Sequence, residues 1–452
     1  MKAKRLAALL IVLAILFSPG SVVVQGKQPS TGTKPLDIIL LLDSSPSTRT
    51  TDPNNLRISA ARFLLDYLEA TSQVLGVNYR AGVVNFGARI GETVPLRPLQ
   101  GGVVRDALVA EEIPYTDFRP ALDFALKEFR SRSFGTNNIM AVILFTDGNP
   151  QLTANPLSVQ DKVHYFRGEK IEGDEIAYRM DQLVSDMQDS NVTLFVVAVG
   201  DAGQDAELWQ TLVPPKHYRS IDTTTNLADM YHDFVTDIIG GIAAQAQTLL
   251  AGESVEVLLP PYLEYTLFSF LKDGSGVTIT LMDPNGETYR PTLGGGPEEL
   301  YEIYLDKAPQ EGIWQVSVAN GGAQMWLDQR LPTLAVEVPE VTQVLGQPVM
   351  VYASLLHHQK PVVDPRLNLQ ARIEVPPTGQ VRTEPLTRVD DGRYAVALTD
   401  LSEPGTYTVT VIASIDGRPL ATQSRPALFR VFPVPTIETF SVEGELVVGS
   451  PI

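Results

Sequence analysis

Leu36-Asp37-Ile38-Ile39-Leu40-Leu41-Leu42-Asp43-Ser44-Ser45-Pro46-Ser47 is the stretch whose reading decides the fold. The apolar run from Leu36 predicts a strand buried on both faces, the kind found in parallel sheets covered by helices. Its C-terminal tip carries the pattern D-x-S-x-S. Open α/β sheets gather ligands just outside the carboxyl ends of their strands. The tip therefore sets one carboxylate and two hydroxyls on a tight loop at a ligand-binding position. These are hard oxygen donors of the kind that suit Mg²⁺.

By itself the pattern is weak, because a chain this long has roughly a one-in-ten chance of containing it. Two further segments strengthen it. Tyr115-Thr116-Asp117 opens a helical stretch from Phe118 to Phe129. A second buried apolar run, Met140-Ala141-Val142-Ile143-Leu144-Phe145, ends in Thr146-Asp147-Gly148. Three loop or strand ends thus offer oxygens, in chain order.

With those segments in place, the chain resembles the von Willebrand factor type A family over roughly residues 36–245. The match includes that family's metal-ion-dependent adhesion site. Asp43, Ser45 and Ser47 match the D-x-S-x-S element, Thr116 the lone threonine and Asp147 the T-D-G aspartate. Pro46 stands where glycine is common; it stiffens the loop through its fixed φ and removes no ligand.

The resemblance implies one Mg²⁺, Ca²⁺ or Mn²⁺ per domain. Ser45 and Ser47 would be direct ligands, Thr116 a ligand in the tight-binding state, and Asp43 and Asp147 would ligate directly or through water. At least one position stays open for a partner's Glu or Asp carboxylate. This is a binding mechanism with no chemical step, so the chain is expected not to be an enzyme. Asp117 and Asn149 flank the site. Each reads either as a group that orients waters or contacts ligand, or as a helix cap and a turn residue.

Elsewhere in the domain, Asp52-Pro53 reads as an N-cap followed by Pro at the first helical position. Leu56, Ala60, Phe63, Leu64, Tyr67 and Leu68 then recur at helical spacing. Arg80 to Phe86 reads as the second strand, with Arg89 to Leu96 turning back as an antiparallel edge. Val192 to Val199 is another buried strand, Ala206 to Val213 a short helix and Leu227 to Ala244 the closing helix. After Ala251 the texture becomes period-two alternation with Gly/Pro turns. Val277, Ile279 and Leu281 alternate before Asp283-Pro284-Asn285-Gly286, and Trp314, Val316 and Val318 alternate after Gly312. A later module alternates at Tyr394, Val396 and Leu398 and at Tyr407, Val409 and Val411, and it resembles immunoglobulin-like sandwiches at fold level only.

The expected fold class is therefore α/β, a doubly wound, mostly parallel sheet, followed by two all-β sandwich modules. The expected segments are a signal peptide or anchor over 1–26, a linker over 27–35 and the α/β domain over 36–248. A β-sandwich over 250–333, an immunoglobulin-like sandwich over 334–433 and a tail or start of a further module over 434–452 follow.

Composition narrows the function. The 452 residues carry a formal charge of −18. That argues against nucleic acid, whose binding needs Lys and Arg to displace counterions, and against adhesion to anionic lipid. With no cysteine, disulfides, thiol nucleophiles and zinc–thiolate sites are excluded. No G-x-S-x-G or H-E-x-x-H occurs to support a hydrolase. His357-His358 reads as a solvated loop, and Trp314 and Trp326 as β-core residues.

Lys2, Lys4 and Arg5 ahead of the apolar Leu6 to Phe17, broken by Ser18-Pro19-Gly20, read as an export signal with a cleavage point after Val24-Gln25-Gly26. The alternative is membrane attachment through an uncleaved segment over 6–24. The expected function is an exported, secreted or cell-surface protein that binds a protein or extracellular-matrix ligand through the cation site. The alternative is a structural envelope protein whose β modules carry the interactions, with the metal only stabilising.

Overall fold

The structure, a computed structural model, describes residues 21–22, 34–53, 55–100, 102–133, 137–147, 164–166, 169–171, 175–199, 209, 212–221, 230, 234, 247–296, 299–338, 343–423 and 426–433. The expected signal segment, the closing helix, the helix over 206–213 and Asn149 fall wholly or mostly outside these residues. The chain divides into two compact units between Arg330 and Leu331.

The first unit begins with a six-stranded sheet. Its strands are β1 (Leu36–Asp43), β2 (Tyr79–Phe86), β3 (Ile90–Pro98), β4 (Ile139–Thr146), β5 (Val192–Val199) and β6 (Tyr218–Ile221). The spatial order is β3-β2-β1-β4-β5-β6, with β3 antiparallel and every other pairing parallel. β1 is therefore central, and all eight of its residues are buried. Its side chains alternate between two cores, as a strand's period of two requires. Ile38, Leu40 and Leu42 face helix α1 (Leu56–Leu75), while Ile39 and Leu41 face α2 (Phe118–Arg132) and α3 (Glu175–Asp189). Asp37, fully buried at the start of β1, is held by a bidentate Arg80 at 2.7 and 2.6 Å. This is the doubly wound α/β fold expected.

The start of α1 differs from expectation. Thr48–Thr51 forms a short helix of its own, and Asp52 closes it. α1 begins only at Leu56, after Asn55 in the left-handed region at φ 52°. The Asp52 carboxylate is taken by buried Arg57, whose backbone N–H and Nη1 donate to it at 3.1 and 2.8 Å. Asn55, not Asp52, is therefore the N-cap residue of α1, although the Asp52 carboxylate still satisfies the Arg57 N–H in the helix's first turn. At the other end Gly76, at φ 62°, closes the helix.

Among the described residues the first unit also holds a two-stranded ribbon, His164–Phe166 with Glu169–Ile171, and two five-stranded sheets. One is built on β7 (Tyr265–Lys272), β8 (Tyr301–Asp306) and β9 (Ala323–Arg330); the other is built around Gly312–Ala319. β7 is buried along nearly its whole length because both its faces are covered. Phe268 packs towards Trp314 and the second sheet, with ring centroids 5.7 Å apart. Leu267, with Tyr301 and Ile303 of β8 and Trp326 of β9, shares one core with α1 of the α/β domain. Trp314 fills the sandwich interior as expected, whereas Trp326 lies against Phe63 of α1, with centroids 5.6 Å apart. α1 is consequently wedged between two sheets. The Asp283–Gly286 turn forms as the sequence predicts, with Gly286 donating to the Asp283 carbonyl at 3.0 Å.

The second unit is a ten-stranded β arrangement. It is antiparallel except for the two-residue pairing of Gln343–Val344 with Val431–Phe432. Leu367–Val375 alternates buried and exposed residues and Gly405–Ile415 buried and half-buried ones, so each has one core face and one face at least partly open to solvent. His357 and His358 sit at a strand end with ring centroids 4.3 Å apart. Among the described residues no helix is long and apolar enough to cross a membrane.

Candidate metal centre

The site is built at the C-terminal ends of β1 and β4, adjacent strands whose parallel register sets Leu42 beside Phe145. Asp43 and Asp147 consequently leave the sheet side by side. Asp43 is fully buried, and Ser45 and Asp147 are nearly so, whereas Pro46 and Ser47 face solvent. The Asp43 carboxylate folds the loop back on itself by accepting from the Ser45 N–H at 2.9 Å, and it accepts from the Thr146 hydroxyl at 2.7 Å. The Ser45 and Ser47 Oγ atoms stand 2.9 Å apart. Both lie against one atom, Oδ1 of Asp147, at 3.3 and 3.2 Å.

The segment that carries Thr116 is tied to the loop after β1 by its backbone. Ile113 N–H donates to the Ser44 carbonyl at 2.8 Å, Ala88 N–H to the Pro114 carbonyl at 2.7 Å, and Asp117 N–H to the Gly87 carbonyl at 3.1 Å. Segment 111–117 is thereby stitched to the loop after β1 and to the turn after β2. A glycine permits this close approach: a Cβ on Gly87 would lie 2.5 Å from the Ile113 carbonyl oxygen. Thr116 is 2 % exposed.

Asp117 caps α2, accepting from Arg119 N–H at 3.1 Å. Its two carboxylate oxygens also receive the buried Arg119 guanidinium at 2.8 and 2.6 Å. That carboxylate is held by structure, while Asn149 lies outside the described residues. Two hydroxyls that the sequence reading passed over belong here. Thr146 donates to Asp43, and Thr51 donates to Asp147 Oδ2. The signal for Thr51 was its position one helical turn after Ser47, where it also bonds the Ser47 carbonyl.

The electrostatics favour a cation. Burial, then the nearby Asp147 charge, push the Asp43 carboxyl up to about 6, against the opposing hydrogen bonds from Thr146 and Ser45. A divalent ion between the two carboxylates would relieve both penalties. The donors are all oxygen, two carboxylates and several hydroxyls, which fits a hard cation and not a thiolate metal. Among the described residues no group of three or more His, Cys, Asp or Glu could hold a metal. Any centre here therefore depends on its hydroxyls as well as on its two carboxylates.

No curated protein matches the chain. Among solved structures, the pilus adhesin SpaC from Lactobacillus rhamnosus GG is 12% identical with a TM-score of 0.38, covering 86% of this chain and 54% of its own. The pilus adhesin RrgA from Streptococcus pneumoniae is 10% identical with a TM-score of 0.37, covering 91% and 79%. Proximal thread matrix protein 1 from the mussel byssus, solved with a zinc-occupied MIDAS motif, is 16% identical with a TM-score of 0.34, covering 50% and 51%. The chain spans about half the length of SpaC. Residues 37–233 match the profile of the von Willebrand factor type A domain. With the sheet order above, that segment is a von Willebrand factor type A domain, followed in the chain by β modules.

Proposed function

We propose that the chain is an exported binding protein that captures a protein or extracellular-matrix ligand through a divalent cation held at Asp43, Ser45, Ser47, Thr116 and Asp147. The observation that carries this reading is the convergence of the Ser45 and Ser47 hydroxyls on Asp147 Oδ1, beside a buried Asp43. Mg²⁺ prefers six oxygens and keeps waters readily. Ser45, Ser47 and Thr116 would supply neutral ligands, and Asp43 and Asp147 would ligate or hold water. The exposed Ser47–Pro46 side is where a ligand Glu or Asp would complete the shell. No chemical step is involved. Export is supported by the basic Lys2, Lys4 and Arg5 ahead of the apolar run from Leu6, with secretion or cell-surface display as the outcome.

Calorimetric titration with Mg²⁺, Mn²⁺ and Ca²⁺, beside Asp147→Ala, tests the metal reading. Saturable binding lost in the variant supports it. Heat-free titrations with all three ions would sink it.

A further inference from the structure

We propose that the β-sandwich of the first unit holds a hard cation of the Ca²⁺ class at one end, where Asp306, Thr266, Gln329 and Tyr289 bring four oxygen-bearing side chains together. This site is separate from the loop at Asp43 and Asp147 and does not rest on it.

Three strands lay the site out. Phe268 of β7 points into the sandwich towards Trp314, so Thr266, two residues earlier, points the same way. The antiparallel register sets Asp306 of β8 directly opposite Thr266 on one side and Gln329 of β9 directly opposite it on the other. Opposed residues share a face, with Cβ atoms about 4.5–5.5 Å apart. A carboxylate, a hydroxyl and an amide therefore form one row across the sheet. Tyr289 of the facing sheet meets this row: its ring lies 4.9 Å from that of Trp314, and its hydroxyl donates to Asp306 Oδ2 at 3.3 Å.

The row is not satisfied from within. Thr266 is fully buried, yet its Oγ1 has no hydrogen-bond partner among the described residues, and neither has the buried Oε1 of Gln329. An unpaired buried oxygen costs about 1–3 kcal/mol, so two in one row call for a group that both can meet. The surroundings favour a cation in that role. Asp306 Oδ1 is taken by the Ala308 N–H at 2.9 Å, while Oδ2 has only the long bond from Tyr289. Burial, then the charges of Asp306, Asp283 and Glu287, push the Tyr289 phenol up to about 12. Three carboxylates thus bear on this end of the sandwich, and the phenol stays a neutral donor of lone pairs. Ca²⁺ accepts carboxylate and amide carbonyl oxygens in flexible geometry and completes its shell with water. Asp306, Gln329 and Tyr289 are half-buried, so water reaches their side of the row.

The test is Tb³⁺ luminescence, sensitised through Tyr289 and Trp314, in the full chain carrying Asp147→Ala, which removes a carboxylate from the loop site. Saturable luminescence that excess Ca²⁺ displaces is expected, and adding Asp306→Asn should abolish it. Thr266→Val separates a cation from a bound water. Without metal it should melt no lower than its parent, because it deletes a hydroxyl that has no partner. Its Ca²⁺ affinity should nonetheless fall by about 10-fold. No saturable luminescence in the Asp147→Ala chain, or luminescence that survives Asp306→Asn, overturns the proposal. So does a Thr266→Val chain that melts lower without metal yet binds Ca²⁺ like its parent, since the hydroxyl then serves a water. Each of these outcomes leaves the loop reading untouched, because the loop's Asp147 is absent from every chain compared.

Discussion

The Tyr301 hydroxyl of β8 donates to Asp66 Oδ2 of α1 at 2.6 Å, across 235 positions of sequence. The bond ties the β region to the helix that leaves the candidate metal loop. Asp66 is buried, and burial pushes its carboxyl above the usual range, with Tyr301 and Arg105 opposing the shift. Arg105 lies 3.3 Å from Asp66 and also pairs with Glu299. Tyr301→Phe removes one donor from a buried carboxylate. It should cost about 1–3 kcal/mol. Urea denaturation checks it, and an unchanged midpoint would show that the bond is worth nothing net.

The buried pair of Asp52 and Arg57, 2.8 Å apart with side chains 1% and 2% exposed, joins the candidate metal loop to the start of α1. Removing one partner strands the other charge in the core. Asp52→Ala should therefore destabilise the first unit by about 3–5 kcal/mol. The double replacement Asp52→Leu with Arg57→Met should recover most of that loss. Chemical denaturation of the three variants decides the matter; a double variant no better than the single would mean that the pair does more than neutralise itself.

The sequence made the centre of this domain legible because the physics there is local. An apolar run ending in Asp43-Ser44-Ser45 reads as a buried strand and an oxygen-rich tip whatever else the chain does. What stayed hidden depends on partners distant in sequence. Phe63 and Tyr67 repeat at helical spacing, but spacing does not say which sheet they meet. Trp326 reads as a sandwich-core residue until α1 is seen to lie against it. Asp52 reads as a cap because Pro53 follows, and only the fold shows that Arg57 captures its carboxylate. Thr51 escaped notice because its partner, Asp147, is 96 positions away.

A cluster of tyrosines at the α1 seam gives the first unit an alkaline limit. Burial pushes Tyr79 up to about 12 and also raises Tyr67, Tyr265 and Tyr301. A raised phenol favours the protonated form in the folded state. Its stabilisation is complete below the unfolded value near 10 and fades as pH climbs towards the folded value. Each such tyrosine should remove about 1.4 kcal/mol per pH unit between roughly 10 and 12. Tyrosinate absorbance and melting temperature followed together should show delayed ionisation of these residues and a falling midpoint. Ordinary titration near 10 with no change in midpoint would contradict the burial argument.

Thr51 offers a test of how the hydroxyls around Asp147 support a cation. Its hydroxyl holds Asp147 Oδ2 while Ser45 and Ser47 lie against Oδ1, so the carboxylate plane is fixed from both sides. Groups that orient a ligand matter nearly as much as the ligand; their loss typically costs 10–100-fold in metal affinity. Thr51 sits on the exposed short helix and also bonds the Ser47 carbonyl at 3.3 Å, so its removal loosens the loop as well. Thr51→Val keeps the shape and removes the hydroxyl. Mg²⁺ affinity should fall by about 10-fold at the lower end of that range, with melting temperature in the absence of metal changed little. In the wild type, Mg²⁺ at a hundred times its dissociation constant should add about 2.7 kcal/mol of stability, and EDTA should reverse it. Thr51→Val should need proportionally more metal to reach the same gain. If the variant and wild type follow the same Mg²⁺ curve, Asp147 is oriented by the serines alone and Thr51 only closes the short helix.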